Sequence, residues 1–169
     1  MAGLPGSGKS TIAGHIGVAL NAAVVSVDPI EAAILAAGID QAQPTGLAAY
    51  LVAETIAASV VSAGQTIVVD AVNAVEPARL QWVALAERQG VGLCFVEVYC
   101  SDLELHRSRL EKRMRQLPLL ADPSRHAVEQ SLEEYAEWTG TAASVRRIRI
   151  DTARPVETNV AAALAFLRE

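Results

Sequence analysis

Gly3 Leu4 Pro5 Gly6 Ser7 Gly8 Lys9 Ser10 is the stretch on which the reading of this chain turns. It matches GxxxxGK[S/T], a pattern whose chemistry follows from its parts. The glycines let the backbone curl so that several N–H groups point inward at phosphate oxygens, and the helix that follows adds its positive N-terminal end. Lys9 is placed to reach the β- and γ-phosphates of a nucleotide, and the Ser10 hydroxyl to ligate Mg²⁺. Gly3, Gly6, Ser7, Gly8 and Thr11 complete the expected ATP cradle. The competing reading, a chance match in a glycine-rich turn, has to be weighed against the chain downstream.

That chain alternates. Apolar, β-branched runs at 24–27, 66–69, 93–99 and 148–150 predict strands, and helical periodicity fills 9–20, 45–62, 77–89 and 102–115. A last helix is expected to start near Pro155, where proline suits a first turn. Such alternation predicts a parallel sheet with helices on its faces. Between 116 and 140 the strand pattern lapses, Pro118 and Pro123 interrupt regular structure, and 127–138 reads as a further helix. Together with 102–115 this predicts an inserted helical lid, about 102–140, within a single domain spanning 1–169.

Composition narrows the class. The chain has 169 residues, 51% hydrophobic and 20% charged, with a net charge of −5, so neither disorder nor a general affinity for nucleic acid follows. Apolar runs look too short for a membrane span, and no basic-then-apolar leader opens the sequence, so a cytoplasmic protein is expected. Cys94 and Cys100, six apart in one expected strand, lie beyond disulfide reach and read as structural thiols.

The loop motif normally follows a strand, yet only Met1 and Ala2 precede Gly3. The strand expected there sits centrally in such sheets, and its loss would leave neighbours without ladder partners. The expectation is a start site placed too late or a shortened chain.

Two carboxylates close apolar strands. Asp28 follows Val24 Val25 Ser26 Val27, and Asp70 follows Ile67 Val68 Val69. Ligands of open α/β sheets bind at the carboxyl ends of strands, so Asp70 is suited to hold Mg²⁺ and Asp28 to accept the proton of an acceptor hydroxyl. The two roles can also be shared or exchanged. The bland alternatives are an N-cap for a helix beginning at Pro29 and a turn residue before Asn73. Glu31, three residues on, would disfavour an anionic acceptor if it faced the same cavity, and is otherwise a solvated helix residue.

Five of the fourteen Lys and Arg residues, Arg107, Arg109, Lys112, Arg113 and Arg115, are packed into the expected lid. Arg109 and Arg113 are four apart and so share one helix face. Guanidinium groups there can clamp a triphosphate and neutralise charge during phosphoryl transfer. The alternative is a solvated helix balanced by Glu104 and Glu111. His106, Trp82, Trp138 and Tyr135 read as structural or packing residues.

Several segments together resemble the bacterial P-loop kinases grouped with gluconate kinase, chloramphenicol phosphotransferase, zeta-toxin-like kinases and the kinase domain of phage polynucleotide kinase. The resemblance runs through Gly3 to Thr11, Val27 Asp28, the segment Val68 Val69 Asp70 Ala71 Val72 Asn73, and Arg109 Leu110 Glu111 Lys112 Arg113. Ile150 Asp151 Thr152 Ala153 Arg154 Pro155 resembles that group's last strand and closing helix. It implies the three-layer P-loop NTPase fold and transfer of the ATP γ-phosphoryl group to a small molecule's hydroxyl. Lys9 and Ser10 would then serve nucleotide and Mg²⁺, Asp28 would be the base, and Arg109 and Arg113 the lid arginines. Glu31 stands near where the polynucleotide kinase pattern has an arginine, so the implied partner is a small-molecule acceptor rather than nucleic acid. A nucleotide-regulated binding protein or slow NTPase is the competing expectation.

Overall fold

A computed structural model describes residues 1–116 and 135–169, with side chains throughout except at 113–116. The described elements follow in the order α1 (Lys9–Leu20), β1 (Ala23–Ser26), α2 (Val27–Ala36), α3 (Thr45–Ser62), β2 (Ile67–Asp70), α4 (Glu76–Gln89), β3 (Phe95–Tyr99), α5 (Leu103–Gln116), α6 (Gly140–Ser144), β4 (Arg147–Asp151) and α7 (Val156–Arg168). Their ends have local causes. Helix α4 carries proline in its first turn and closes on Gly90 at φ 64, a left-handed conformation that glycine adopts without strain. Pro155 stands just ahead of α7, at its cap position rather than inside its first turn.

β1 pairs with β2 in parallel, Ser26 opposite Asp70, and β3 pairs in parallel with β4, Tyr99 opposite Asp151. These form two separate two-stranded sheets. Met1 and Ala2 join them. The Met1 amino group donates to Val69 O at 2.6 Å, the Ala2 N–H donates to Val96 O at 2.9 Å, and the Val98 N–H donates to Ala2 O at 2.7 Å. Two residues thus stand where a central strand is expected, and they carry the chain directly into the phosphate loop.

Period-two alternation sends side chains to two cores. Val68, Val96, Val98 and Ile150 face α1 and α7 through Ile12, Ile16 and Ala163. Val25, Ile67, Val69 and Phe95 face the opposite side, with Val27, Ala49, Ala53, Ala57, Trp82 and Leu85. The result is a three-layer α/β P-loop fold, helices on both faces of parallel strands.

Three readings of the sequence change. α3 is, by length and composition, apolar enough to cross a membrane, with 22% of its span buried. Here it packs through Ala49, Ala53 and Ala57, while Glu54 in its middle accepts from Gln81 Nε2 at 2.7 Å and pairs with Arg88. Second, α2 begins at Val27, so Asp28 lies in its first turn and Ser26 takes the cap position, without a side-chain capping bond. Third, α6 is an unanticipated short helix, and 135–139 is non-helical, while the rest of the helix expected over 127–138 falls outside the described residues. Cys94 and Cys100 are free thiols on either side of β3.

Candidate nucleotide and phosphotransfer site

The phosphate loop is held from below by β3. A Cβ on Gly3, where φ is 142, would sit 2.1 Å from Val98 O, so only glycine lets the chain turn out of the sheet here. Gly8, at φ 90, then caps α1, and its Cβ would meet Thr152 at 3.2 Å. Lys9 and Ser7 are buried, and the Ser7 hydroxyl has no hydrogen-bond partner among the described residues. Ser10 and Thr11 are exposed at the start of the helix.

A cavity of about 470 Å³ opens over this loop, lined by Gly6, Gly8, Lys9, Ser10, Thr11 and, from across the molecule, Arg109, Thr152, Arg154 and Asn159. Helix α5 lies against the loop. Leu110 would meet a Cβ on Gly6 at 2.8 Å, and His106 Nε2 lies 2.7 Å from Pro5 O, where it serves as the donor. Arg109 donates to the Thr152 hydroxyl at 2.8 Å and to its carbonyl oxygen at 3.2 Å. The hydroxyl in turn donates to Ser7 O at 2.7 Å. Arg113 is in the same helix, and its side chain lies outside the described residues.

Thr152, Arg154 and Asn159 are the cavity residues that sequence reading missed as site residues. Thr152 and Arg154 lie in the segment Asp151 to Pro155, read only as strand and helix. Asn159 is buried and donates to Asp151 O and Arg154 O at 2.9 and 3.2 Å, which fixes the turn leaving β4. Asp151 accepts from Ser101 Oγ at 2.7 Å and from Ser101 N at 3.0 Å, and these bonds hold its carboxyl below the usual range.

At the neighbouring strand ends, Asp70 is buried. Ser26 Oγ donates to Asp70 Oδ2 at 3.1 Å, while Asp70 Oδ1 has no hydrogen-bond partner among the described residues. Tyr50 of α3 registers the surrounding charge. Burial pushes its phenol up to about 12, and Asp28, Asp70 and Glu31 add to the rise, against a hydrogen bond from the Asn73 N–H at 3.0 Å. Three carboxylates from α2 and β2 therefore act on one tyrosine. Glu31 also accepts from Thr45 Oγ1 at 2.9 Å, which ties α2 to the start of α3.

Behind this cluster Asn73, left-handed at φ 50, uses every polar group it has. Besides the bond to Tyr50, it donates through Nδ2 to Met1 O at 2.7 Å, accepts at Oδ1 from Trp82 Nε1 at 2.9 Å and accepts at its carbonyl from Arg79 Nε at 2.9 Å. Arg79, fully buried, also donates to the carbonyls of Ala74, Ala136 and Glu137. Its guanidinium lies 4.2 Å from the Trp138 ring centroid, and Trp138 packs edge-on against Phe95. Trp82 and Trp138 are packing residues, as expected.

Fold and loop together define a kinase-like P-loop α/β protein. A model of the AAA domain family matches residues 1–138, and the chain belongs to that family. The chain is similar in structure to an unliganded sugar kinase from a Janibacter species, with TM-score 0.71 and 19% identity over 99% of this chain and 91% of the other. It is similar also to a gluconokinase from Sinorhizobium meliloti, at TM-score 0.65 and 21% identity over 99% and 89% of the two chains. Chaetomium thermophilum Kti12 in complex with ADP-AlF3 matches at TM-score 0.68 and 17% identity over 97% and 95%. At these identities the likeness is one of fold. A comparison with curated proteins gave no match.

Proposed function

We propose that this chain is an ATP-dependent phosphotransferase that moves the γ-phosphoryl group of ATP to a hydroxyl of a small molecule, with Mg²⁺ as its metal and the cytoplasm as its place of action. The observation that supports it best is that Arg109, from α5, shares one cavity with Lys9 and Ser10 of the phosphate loop. A lid cation over a phosphate cradle is suited to charge that builds on a phosphoryl group in transfer.

In this reading Lys9 and the loop N–H groups hold the β- and γ-phosphates, and the unpartnered Ser7 hydroxyl donates to one of their oxygens. Ser10 and Asp70 would hold Mg²⁺. They fit it, because Asp70 keeps one buried oxygen without a partner among the described residues while Ser26 fixes the other. Bound there, the ion would neutralise phosphate charge. Asp28, in the first turn of α2, accepts the acceptor's hydroxyl proton as that oxygen bonds to the γ-phosphorus and the bond to the β,γ-bridging oxygen breaks. Arg109 and Arg113 balance the negative charge left on ADP.

The test is ATP consumption by the purified chain against panels of sugars, sugar derivatives and hydroxylated antibiotics. Acceptor-dependent ADP release above the blank supports the proposal, and identical ADP release with and without every acceptor counts against it. The fold likeness to Kti12, solved with ADP-AlF3, is compatible with a second reading, a nucleotide-regulated binding protein or slow NTPase. There, Asp28→Asn would leave ATP turnover unchanged.

A further inference from the structure

Leu4 to Ser7 form a tight turn within the phosphate loop, closed by the Ser7 N–H on Leu4 O at 3.1 Å. Proline in its second place and glycine at φ 75 in its third are the features of a type II turn. Types I and II share the same closing bond and differ by turning over the peptide between those two residues. Proline suits the second place of either type, and glycine tolerates the third place of both. The turn sequence therefore leaves the Pro5–Gly6 peptide with two orientations.

A contact from α5 selects between them. His106 Nε2 donates to Pro5 O at 2.7 Å. The peptide is trans, so its N–H points away from its C=O, and Gly6 lines the cavity over the loop. The Gly6 N–H is thereby turned toward that cavity, and among the described residues it donates no hydrogen bond. Turned over, the same peptide would aim the negative end of its dipole at bound phosphate, where a cradle of N–H groups is required.

His106 is itself held in place. Asp102 caps the first turn of α5: its Oδ1 accepts from the Leu105 N–H at 2.9 Å and its carbonyl from the His106 N–H at 3.0 Å. Leu110, one turn further on, lies 2.8 Å from the place a Cβ on Gly6 would take, so the helix rests directly on the turn. The same helix reaches Ser7 O through Arg109 and Thr152. The helix thus grips the loop on both sides of Gly6, at Pro5 and at Ser7.

We propose that His106 is a positioning residue for phosphoryl transfer. It locks the Pro5–Gly6 peptide so that the Gly6 N–H meets the oxygen bridging the β- and γ-phosphorus of ATP, where negative charge builds as the bond to the γ-phosphorus breaks. The inference rests on the phosphate loop holding ATP, and its test needs no acceptor. Dissociation constants of ATP and of β,γ-methylene-ATP, whose bridging carbon accepts no hydrogen bond, are compared with Mg²⁺ for the unchanged chain, His106→Leu and His106→Gln. Loss of one charge-assisted bond predicts that the unchanged chain holds ATP about tenfold more tightly than the methylene compound. In His106→Leu that ratio should fall to about twofold or less, and His106→Gln, whose amide keeps a donor at similar reach, should restore it. A residue that merely supports the fold would weaken both nucleotides alike. Equal losses for the two nucleotides, or a Gln variant that behaves as the Leu variant does, overturn the inference and leave the phosphate-loop reading standing. Failure of the unchanged chain to bind either nucleotide overturns both. His106→Ala gives the same ratio test if His106→Leu does not fold.

Discussion

Arg109 donates to both the hydroxyl and the carbonyl of Thr152, and the Thr152 hydroxyl donates in turn to Ser7 O in the phosphate loop. An arginine of α5 and the phosphate loop are thereby linked through one threonine. Arg109→Ala is expected to lower the transfer rate by about a thousandfold. Thr152→Val keeps the shape and removes the link, and should cost roughly tenfold, about 1.4 kcal/mol, in kcat with little change in ATP affinity. Steady-state kinetics on both variants check this, and an equal loss in ATP affinity would make Thr152 a binding group instead.

Lys9 is buried at the start of α1 beneath the cavity. ATP with Mg²⁺ at about a hundred times its dissociation constant should stabilise the chain by about 2.7 kcal/mol. Thermal unfolding with ATP, GTP and ADP reads this directly. In Lys9→Ala the shift is expected to vanish, and a shift that survives would remove the loop from the nucleotide site.

Asp28→Asn should leave that ATP-induced shift intact while reducing acceptor-dependent turnover by about a hundredfold or more, because the amide cannot take the hydroxyl proton. Unchanged turnover would move the base role elsewhere, with Asp70 the next carboxylate to test.

In a chain that begins at Met1, its buried amino group makes stability depend on pH. Its unfolded value is 8.0 and its folded value about 6, so between those pH values the unfolded chain binds more protons. Stability is therefore fully present above pH 8 and is lost as pH falls to 6, by roughly 2 to 3 kcal/mol. Urea midpoints at pH 6, 7 and 8 measure it. N-terminal acetylation should flatten this component and separates it from the histidines, whereas an unchanged slope would place its origin elsewhere.

Arg79 donates to four backbone carbonyls and stacks on Trp138. Arg79→Met leaves those acceptors unpartnered and should cost about 3 kcal/mol or more. Urea unfolding gives the value, and a loss under 1 kcal/mol would mean that water replaces the guanidinium.

Much of this architecture was legible because its causes are local. Glycine spacing specified the loop, and helical periodicity gave α1 and α3 their full extents. The strand edges moved by a residue or two because a strand's ends depend on its neighbours: Ser26 ends β1 where it meets Asp70, and the helix takes over at Val27. Asp70 was singled out from its strand-end position, and the structure buries it beside Ser26. Thr152 and Asn159 were not, because their importance comes from contacts across the fold, to Arg109 and Ser7 in one case and to the turn after β4 in the other. Arg79 carries no local signal either, since its partners at 136 and 137 are far away in sequence.

Asn73 gives this arrangement a dynamic consequence. One side of it holds the Tyr50 hydroxyl, beside the carboxylates, and the other holds Met1 O, at the root of the phosphate loop. A molecule that draws Tyr50 out of place must strain the same residue that seats the loop, and a nucleotide that tightens the loop stiffens Tyr50 in return. Any coupling that Asn73 carries between the two ends would be reciprocal: each ligand would change the affinity for the other by the same factor, and the order in which they arrive would not alter the total.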